Sequence, residues 1–241
     1  MTAAADAPLA DDTGPTRPLD AARAKRIAQT FLPAFAFGNR YDYYYCLAKL
    51  RSDPLYPAVL AALRGSEAPV LDLGCGLGLL AHALHEDGQT LAYRGVDNDA
   101  DKIARARIAA DRRGLPAARF DVVDLAGGPP AHSGSVAILD VLQYLDPAAQ
   151  EALLRTAAGM LTPGGRLVIR SAVEDGSRRS RTSRVTDRLA NWVGWMQFRP
   201  RSYPTRESLR TPLEAAGLRV RLAPLYGRTP FNNWLLVAER D

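Results

Sequence analysis

Three carboxylates, Asp97, Asp124 and Asp140, each follow a short apolar run, and a glycine-rich stretch, Val70-Leu71-Asp72-Leu73-Gly74-Cys75-Gly76-Leu77-Gly78, precedes them all. Glycines at 74, 76 and 78 remove Cβ atoms where the chain must turn sharply and lie against something bulky. Leu79 to Leu84 then reads as the start of a helix, whose first amides face whatever occupies the turn. Asp97 comes 19 residues after Gly78, a spacing at which a carboxylate can accept hydrogen bonds from both ribose hydroxyls. Asp124 is placed to receive the exocyclic amine of an adenine. The turn and the two acids together predict a site for an adenosine-bearing cofactor.

Such a site needs strands that deliver these residues to one edge. The apolar runs at Val70 to Leu73, Leu91 to Val96, Arg119 to Val123, Val136 to Leu139 and Arg166 to Arg170 alternate with helical segments at 79–87, Ala100 to Arg113 and Pro147 to Met160. Strands separated by single helices predict a parallel sheet covered on both faces, with the acids at its strand ends. Asp99 reads as an N-cap and Gly114 as the stop of its helix. The last part differs: a helix from Thr205 to Ala216 is followed by strands at Leu218 to Leu222 and Trp234 to Ala238, close enough to pair antiparallel. Before the first strand, Leu19 to Phe37 is helical with Ile27, Phe31 and Phe35 on one face, Pro33 kinking or ending it. Asn39 to Leu50 and a helix opened by Ser52-Asp53-Pro54 follow.

Composition bounds the function. The 241 residues are 47% hydrophobic, enough for a sizeable core. Cys46 and Cys75 stand in unrelated contexts, which predicts a reducing compartment and no disulfide framework. Neither a signal-peptide core nor a membrane span is evident, so a cytoplasmic protein is expected. Between Arg170 and Arg210 ten arginines face four acids, so the whole net charge of +5 lies in one segment. A local block suits one face built for an acidic substrate, carrier or membrane surface better than a generic nucleic-acid surface.

The motifs resemble those of the class I S-adenosylmethionine-dependent methyltransferases. The matching pieces are the glycine stretch at 70–78, Gly95-Val96-Asp97-Asn98-Asp99, Asp124-Leu125, Leu139-Asp140-Val141-Leu142-Gln143-Tyr144-Leu145 and the turn Leu161-Thr162-Pro163-Gly164-Gly165. The rival pattern of nicotinamide-dependent dehydrogenases is G-x-G-x-x-G, whereas this chain has G-x-G-x-G. Ser135-Val136 departs from the family, which often carries an acid there to support the sheet. The resemblance implies a Rossmann-like α/β fold: a seven-stranded sheet with helices on both faces and an antiparallel last strand. It implies S-adenosyl-L-methionine as cofactor and S-adenosyl-L-homocysteine as product. Gly74, Cys75 and Gly76 would then lie against the methionine and ribose, Asp97 would hold the ribose, and Asn98 would flank the adenine. Asp124 and Leu125 would read the adenine edge, Asp72 would place the methionine amino group or a water, and Asp140 and Gln143 would stand near the transferred methyl.

The expected organisation is a disordered tail at 1–18 and one domain at 19–241. Within it lie an N-terminal helical cover (19–64), a cofactor-binding core (65–170), a lid insertion (171–204), and a closing helix and strand pair (205–241). Tyr41, Tyr45 and Lys49 share one helix face, so Arg40 and Tyr41 are candidates for the cofactor carboxylate. Tyr45 and Tyr144, with Asp140, are candidates for the catalytic pocket. His82, His85 and His132 read as packing or surface residues, and no metal is expected. Val185, Leu189, Trp192, Val193 and Met196 form an apolar stripe with Trp195 and Phe198 nearby, and Arg178, Arg179, Arg181 and Arg184 precede it. Together they suggest a lid for a hydrophobic acid or a carrier-bound acceptor, or a peripheral membrane contact through 178–201. The leading expectation is O-methylation of a small aromatic or acyl acceptor, free or presented on an acyl carrier protein. A short resemblance of Arg40 to Tyr45 and of Lys49 to Tyr56 to methyltransferases of aryl-polyene and pigment pathways supports it. The alternatives are RNA methylation, which the Arg block favours but for which no RNA-binding module is found, and a cofactor-binding protein without activity.

Overall fold

The computed structural model describes residues 17–35, 37–175, 200–226 and 232–240. Three helices come first: α1 (Ala21–Gln29), α2 (Tyr41–Ser52) and α3 (Leu55–Leu63). Alternation then sets in, with β1 (Val70–Leu73), α4 (Leu79–Glu86), β2 (Tyr93–Asp97), α5 (Ala100–Arg113), β3 (Ala118–Val122), β4 (Ser135–Leu139), α6 (Pro147–Gly159) and β5 (Arg166–Ala172). The chain closes with α7 (Arg206–Ala215), β6 (Leu218–Pro224) and β7 (Asn233–Arg240). Short polar side chains start many of these helices. Asp20, Asp99, Asp146 and Thr205 each accept from a backbone amide of the first turn, and Gly114 ends α5 in the left-handed region.

The seven strands lie in the order β3-β2-β1-β4-β5-β7-β6. β1 to β5 are mutually parallel, and β7 runs antiparallel to both β5 and β6. The expected seven-stranded sheet with an antiparallel end is therefore observed. After β1 the chain moves outward to β2 and β3, then returns to place β4 on the other side of β1. A crevice opens where these directions diverge, at the carboxyl ends of β1 and β4.

Alternation along the strands divides the apolar residues between two cores. Val70, Ala137 and Val168 point to the side covered by α1 to α5, where they join Ile27, Leu50, Leu63, Leu80 and Ile103. Leu71, Leu73, Val136, Ile138, Leu167 and Ile169 point to the other side, onto Leu154, Leu209 and Leu213 of α6 and α7. Several expected boundaries move by one or two residues, and one by more. The first helix ends at Gln29, because Pro33 cannot continue it, and Phe35 is left 68% exposed rather than sharing the face of Ile27 and Phe31. The second strand starts at Tyr93, two residues later than expected. The stripe from Val185 to Phe198, the arginines at 178–188 and most of the tail fall outside the described residues.

Candidate functional site

Burial explains the glycine turn residue by residue. Gly74, Gly76 and Gly78 all have positive φ, at 78°, 55° and 73°. A Cβ on Gly74 would stand 2.3 Å from Val141 Cγ2, and one on Gly78 would stand 2.4 Å from the Phe120 ring. These two glycines let neighbouring elements close in. At Gly76 a Cβ would meet nothing within 4 Å, so only this glycine of the three leaves bare backbone facing open space. Cys75, half-buried, packs its Sγ where a side chain on Gly95 would be, at 2.7 Å from that missing Cβ. Burial and then the charges of Asp72 and Asp97 raise its thiol, which stays neutral.

Asp97 ties the turn to β2. Its Oδ2 accepts from the Gly76 amide at 2.9 Å and its Oδ1 from the Asp99 amide at 3.0 Å. The same carboxylate thus holds the open backbone and sits at the strand end. Asn98 beside it is exposed. Asp124 is exposed too and caps a short turn at 125–127 by accepting from the Ala126 amide at 2.9 Å, with Leu125 half-buried next to it.

Below the turn, Asp72 is 2% exposed. Its Oδ2 accepts from the Tyr93 hydroxyl at 2.6 Å, while its Oδ1 is buried with no hydrogen-bond partner. Burial raises this carboxyl to about 7, with the Tyr93 hydrogen bond opposing and the Asp97 charge adding to the rise. An orphaned carboxylate oxygen is costly unless a cation or donor completes it. Asp72 therefore fits an ammonium presented at the crevice.

A different arrangement stands at the end of β4. Asp140 has φ of 62°, a left-handed conformation that an L residue adopts only when its surroundings hold it there. Its amide donates to the Arg170 carbonyl at 2.9 Å, and its Oδ2 receives Arg170 Nη2 at 2.6 Å and Lys49 Nζ at 3.2 Å. Arg170 also reaches Asp53 Oδ2 at 2.7 Å, and Lys49 lies 3.8 Å from the same oxygen. Two cations and two carboxylates, drawn from α2, the α2–α3 junction, β4 and β5, thus close a balanced ring. Burial works against the charges of Lys49, Asp53 and Arg170. It is the largest single influence on Lys49 and on Asp53, but for Lys49 the neighbouring acidic groups together, Asp140 foremost, outweigh it, and for Asp53 the charges of Arg170 and Lys49 with the hydrogen bonds from Leu55 and Arg170 together do so. Lys49 is held protonated above the ordinary lysine value and Asp53 ionised below the ordinary carboxyl value.

The neighbouring candidates take defined places. Gln143 donates to the Asp140 carbonyl at 2.9 Å, and its own carbonyl accepts the Arg201 amide at 2.7 Å. Tyr144 is half-buried. Tyr41 and Tyr45 stack along α2 with ring centroids 6.2 Å apart, and the Tyr45 phenol lies within electrostatic range of Lys49. Arg40 precedes them, exposed. α2 is fastened at both ends, by Lys49 on Asp140 and by Asp42 on Arg105 of α5 at 2.8 and 3.0 Å. Its residues 41–49 therefore lie between the β2 side and the β4 side of the crevice.

Sequence reading missed Arg170, Asp53 and Tyr93. A cation directly after the apolar run Leu167 to Ile169, still within the strand, was the one signal for Arg170. Ser52-Asp53-Pro54 announced only a helix start; Ser52 in fact ends α2 and Pro54 is the residue before α3, while Asp53 accepts from the Leu55 amide at 3.0 Å. The histidines lie apart from the crevice chemistry. His82 is fully buried against the Phe31 ring and lowered to about 4, burial being the main cause and the Arg113 charge the next. His132 contacts the Ser135 carbonyl at 2.9 Å, and His85 is exposed. A cavity of about 240 Å³ lined by Leu84, His85, Leu91, Leu115 and Ala118 opens at the opposite ends of the strands. Among the described residues no group of three or more His, Cys, Asp or Glu side chains could hold a metal ion.

Residues 70–165 match the family described as methyltransferase domain. A ubiquinone biosynthesis O-methyltransferase of Xanthomonas campestris is 32% identical over 115 residues, 47% of this chain and 46% of its own length. The chain spans about half the length of the curated relatives it matches. Among solved structures, an O-methyltransferase family protein from Burkholderia thailandensis superposes with a TM-score of 0.65 at 21% identity, covering 97% of this chain and 67% of that one. Magnesium protoporphyrin IX methyltransferase from Synechocystis PCC 6803, solved with bound SAH, gives 0.61 at 19% identity, covering 91% and 94%. At those identities the structures establish the fold.

Proposed function

Because the chain carries a methyltransferase domain over residues 70–165 and has the class I methyltransferase fold, we propose that it transfers a methyl group from S-adenosylmethionine to a small molecule. The observation that carries this reading is the buried, unpartnered Oδ1 of Asp72 beside the one open glycine of the turn. An amino acid ammonium completes that oxygen, which a pyrophosphate would instead repel. Gly76 offers its bare backbone to the ligand, and Asp97 accepts from the ribose hydroxyls while keeping its hold on the Gly76 amide. Leu125 and Asp124 stand at the adenine edge. S-adenosylmethionine supplies a methyl on a sulfonium, which needs no activation beyond an aligned nucleophile and exclusion of water, and alignment alone can be worth roughly 7–11 kcal/mol.

The acceptor end is read as a site for oxygen. Asp140 presents a carboxylate whose Oδ2 is taken by two cations, and Lys49, kept charged, serves as a donor and not as a base. A hydroxyl can donate to this carboxylate and accept from the ammonium, whereas an amine that arrives protonated would be repelled by Lys49. Tyr45 and Tyr144 flank the place where an aromatic or acyl body would lie. Similarity to a ubiquinone biosynthesis O-methyltransferase supports oxygen as the acceptor atom. An aromatic or carrier-bound secondary metabolite is the acceptor proposed.

Isothermal titration with S-adenosylhomocysteine tests the donor. Binding of that ligand with no heat from NADH is expected, and the reverse pattern would end the proposal. Asp97→Ala should weaken binding by about 10- to 100-fold, the loss of a hydrogen-bonded carboxylate. Undiminished affinity in that variant would displace the ribose assignment while leaving the activity open to test.

A further inference from the structure

Tyr93 opens β2 and is buried. Its hydroxyl donates to Asp72 Oδ2 at 2.6 Å, and the other oxygen of that carboxylate, also buried, has no hydrogen-bond partner. Its ring lies against Phe120 of β3, with centroids 5.7 Å apart, and Phe120 fills the space that a Cβ on Gly78 would need. One side chain thus reaches the buried acid through its hydroxyl and the packing of the glycine turn through its ring. A buried polar pair kept for packing alone gains little over two apolar side chains of similar volume. A carboxylate matched at one oxygen and orphaned at the other points instead to a pair completed from the crevice.

The groups around Asp72 give that hydroxyl its weight. Asp72 is within electrostatic range of Tyr93 and Asp97 on β2, of Cys75 in the turn and of Tyr56 on α3, and none of these is a cation. Burial, first among the causes, keeps the Cys75 thiol and the Tyr56 and Tyr93 phenols protonated, so the Tyr93 hydroxyl remains a donor. Asp97 is occupied by the Gly76 and Asp99 amides and brings Asp72 only its negative charge. Burial and Asp97 both favour the protonated acid, whereas the hydrogen bond from Tyr93 favours the carboxylate.

We propose that Tyr93 is a positioning residue of the donor site: its hydroxyl occupies Oδ2 of Asp72 and so leaves Oδ1 as the atom that meets the donor's ammonium. The role rests on the methyltransferase reading, in which that ammonium belongs to S-adenosylmethionine. Tyr93 acts through Asp72, holding its carboxylate in place and ionised.

The test uses Tyr93→Phe, which removes the hydroxyl and keeps the ring on Phe120. S-adenosylhomocysteine is titrated calorimetrically into the full chain, wild type and variant, across a range of pH, and the ligand-free proteins are unfolded in urea over the same range. Loss of one hydrogen bond to a charged group should raise the Asp72 carboxyl by about one pH unit. Affinity in the variant should then be about tenfold weaker at about pH 6 and return to within about twofold of wild type at about pH 8.5. Because the folded-state value of Asp72 lies above the ordinary carboxyl value, stability is lost as pH rises through it, and that loss should extend upward by about the same unit in the variant. With Asp72→Asn already in place, Tyr93→Phe should shift no unfolding window. A loss of affinity equal at every pH would make Tyr93 a packing residue and overturn the proposal, as would a variant that matches wild type throughout. If wild type binds no S-adenosylhomocysteine at any pH, the methyltransferase reading fails and the unfolding window decides alone: a shift upholds the hold of Tyr93 on Asp72, and no shift ends it.

Discussion

The two ends of the crevice are built on opposite electrostatic plans. On the β1–β2 side, Asp72 is buried with one oxygen unmatched and Gly76 faces empty space, the end that the proposed function fills with a ligand. On the β4–β5 side, Lys49, Asp53, Asp140 and Arg170 balance one another's charge at 2.6 to 3.8 Å without a ligand, while Arg170 Nε and Gln143 Oε1 stay buried with no hydrogen-bond partner. The first end stores unfavourable energy that binding releases. The second holds a fixed, neutral frame against which an acceptor can be aligned, and it also locks the left-handed backbone of Asp140. A carboxylate thus does different work at each end: an isolated one recruits a cation, whereas one bound by two cations is a structural member.

The sharpest way to break this comparison is Arg170→Met. It leaves Asp53 and Asp140 facing each other with only Lys49 between them, and removing one partner of a buried ion pair costs about 3–5 kcal/mol. Urea unfolding should show that loss, and a change under about 1 kcal/mol would mean that the ring is not a structural frame. The matching change on the other side has the opposite sign for stability. The folded-state value of Asp72, about 7, lies above the ordinary carboxyl value, so between about pH 4 and 7 the native state holds a proton that the unfolded chain has lost. Stability therefore falls as pH rises through that window. Asp72→Asn should remove the fall and gain about 2 kcal/mol at pH 8, while abolishing tight S-adenosylhomocysteine binding. In wild type that binding should strengthen as pH rises toward and through 7, as the carboxylate that meets the ammonium forms. Pairing calorimetry with unfolding across pH checks both.

Gly76→Ala separates ligand space from packing space. Its Cβ meets no protein atom, so stability should drop by only about 1–2 kcal/mol for the left-handed backbone, while S-adenosylhomocysteine affinity collapses. Equal losses in both measurements would place Gly76 in the packing class with Gly74 and Gly78. The smallest effect is expected at Asp42→Asn. That exposed-edge pair with Arg105 is of the kind worth about 0.2–1 kcal/mol, so a denaturation midpoint shift at the limit of detection is expected. A large shift would show that α2 is held to α5 far more firmly than an ion pair allows.

Much of this protein is local enough to read along the chain. The alternation of apolar runs with capped helices specifies the parallel sheet, because period-two burial and short-range caps depend on residues a few positions apart. The glycine turn, Asp97 and Asp124 are likewise legible, since each sits at the last residue of a strand or within two residues of it, where the strand end must lie at the crevice. What spacing could not show is which glycine faces open space and which are closed off by packing. That depends on Val141 and Phe120, 67 and 42 positions away from Gly74 and Gly78. Nor could it show that Asp140 is clamped, because Lys49, Asp53 and Arg170 reach it from separate elements. The sequence by itself determined the sheet, its acids and the class of ligand they suit. Only the tertiary structure decided which carboxylate is left wanting a cation and which is already paired, because burial and long-range charge balance belong to no single stretch of chain.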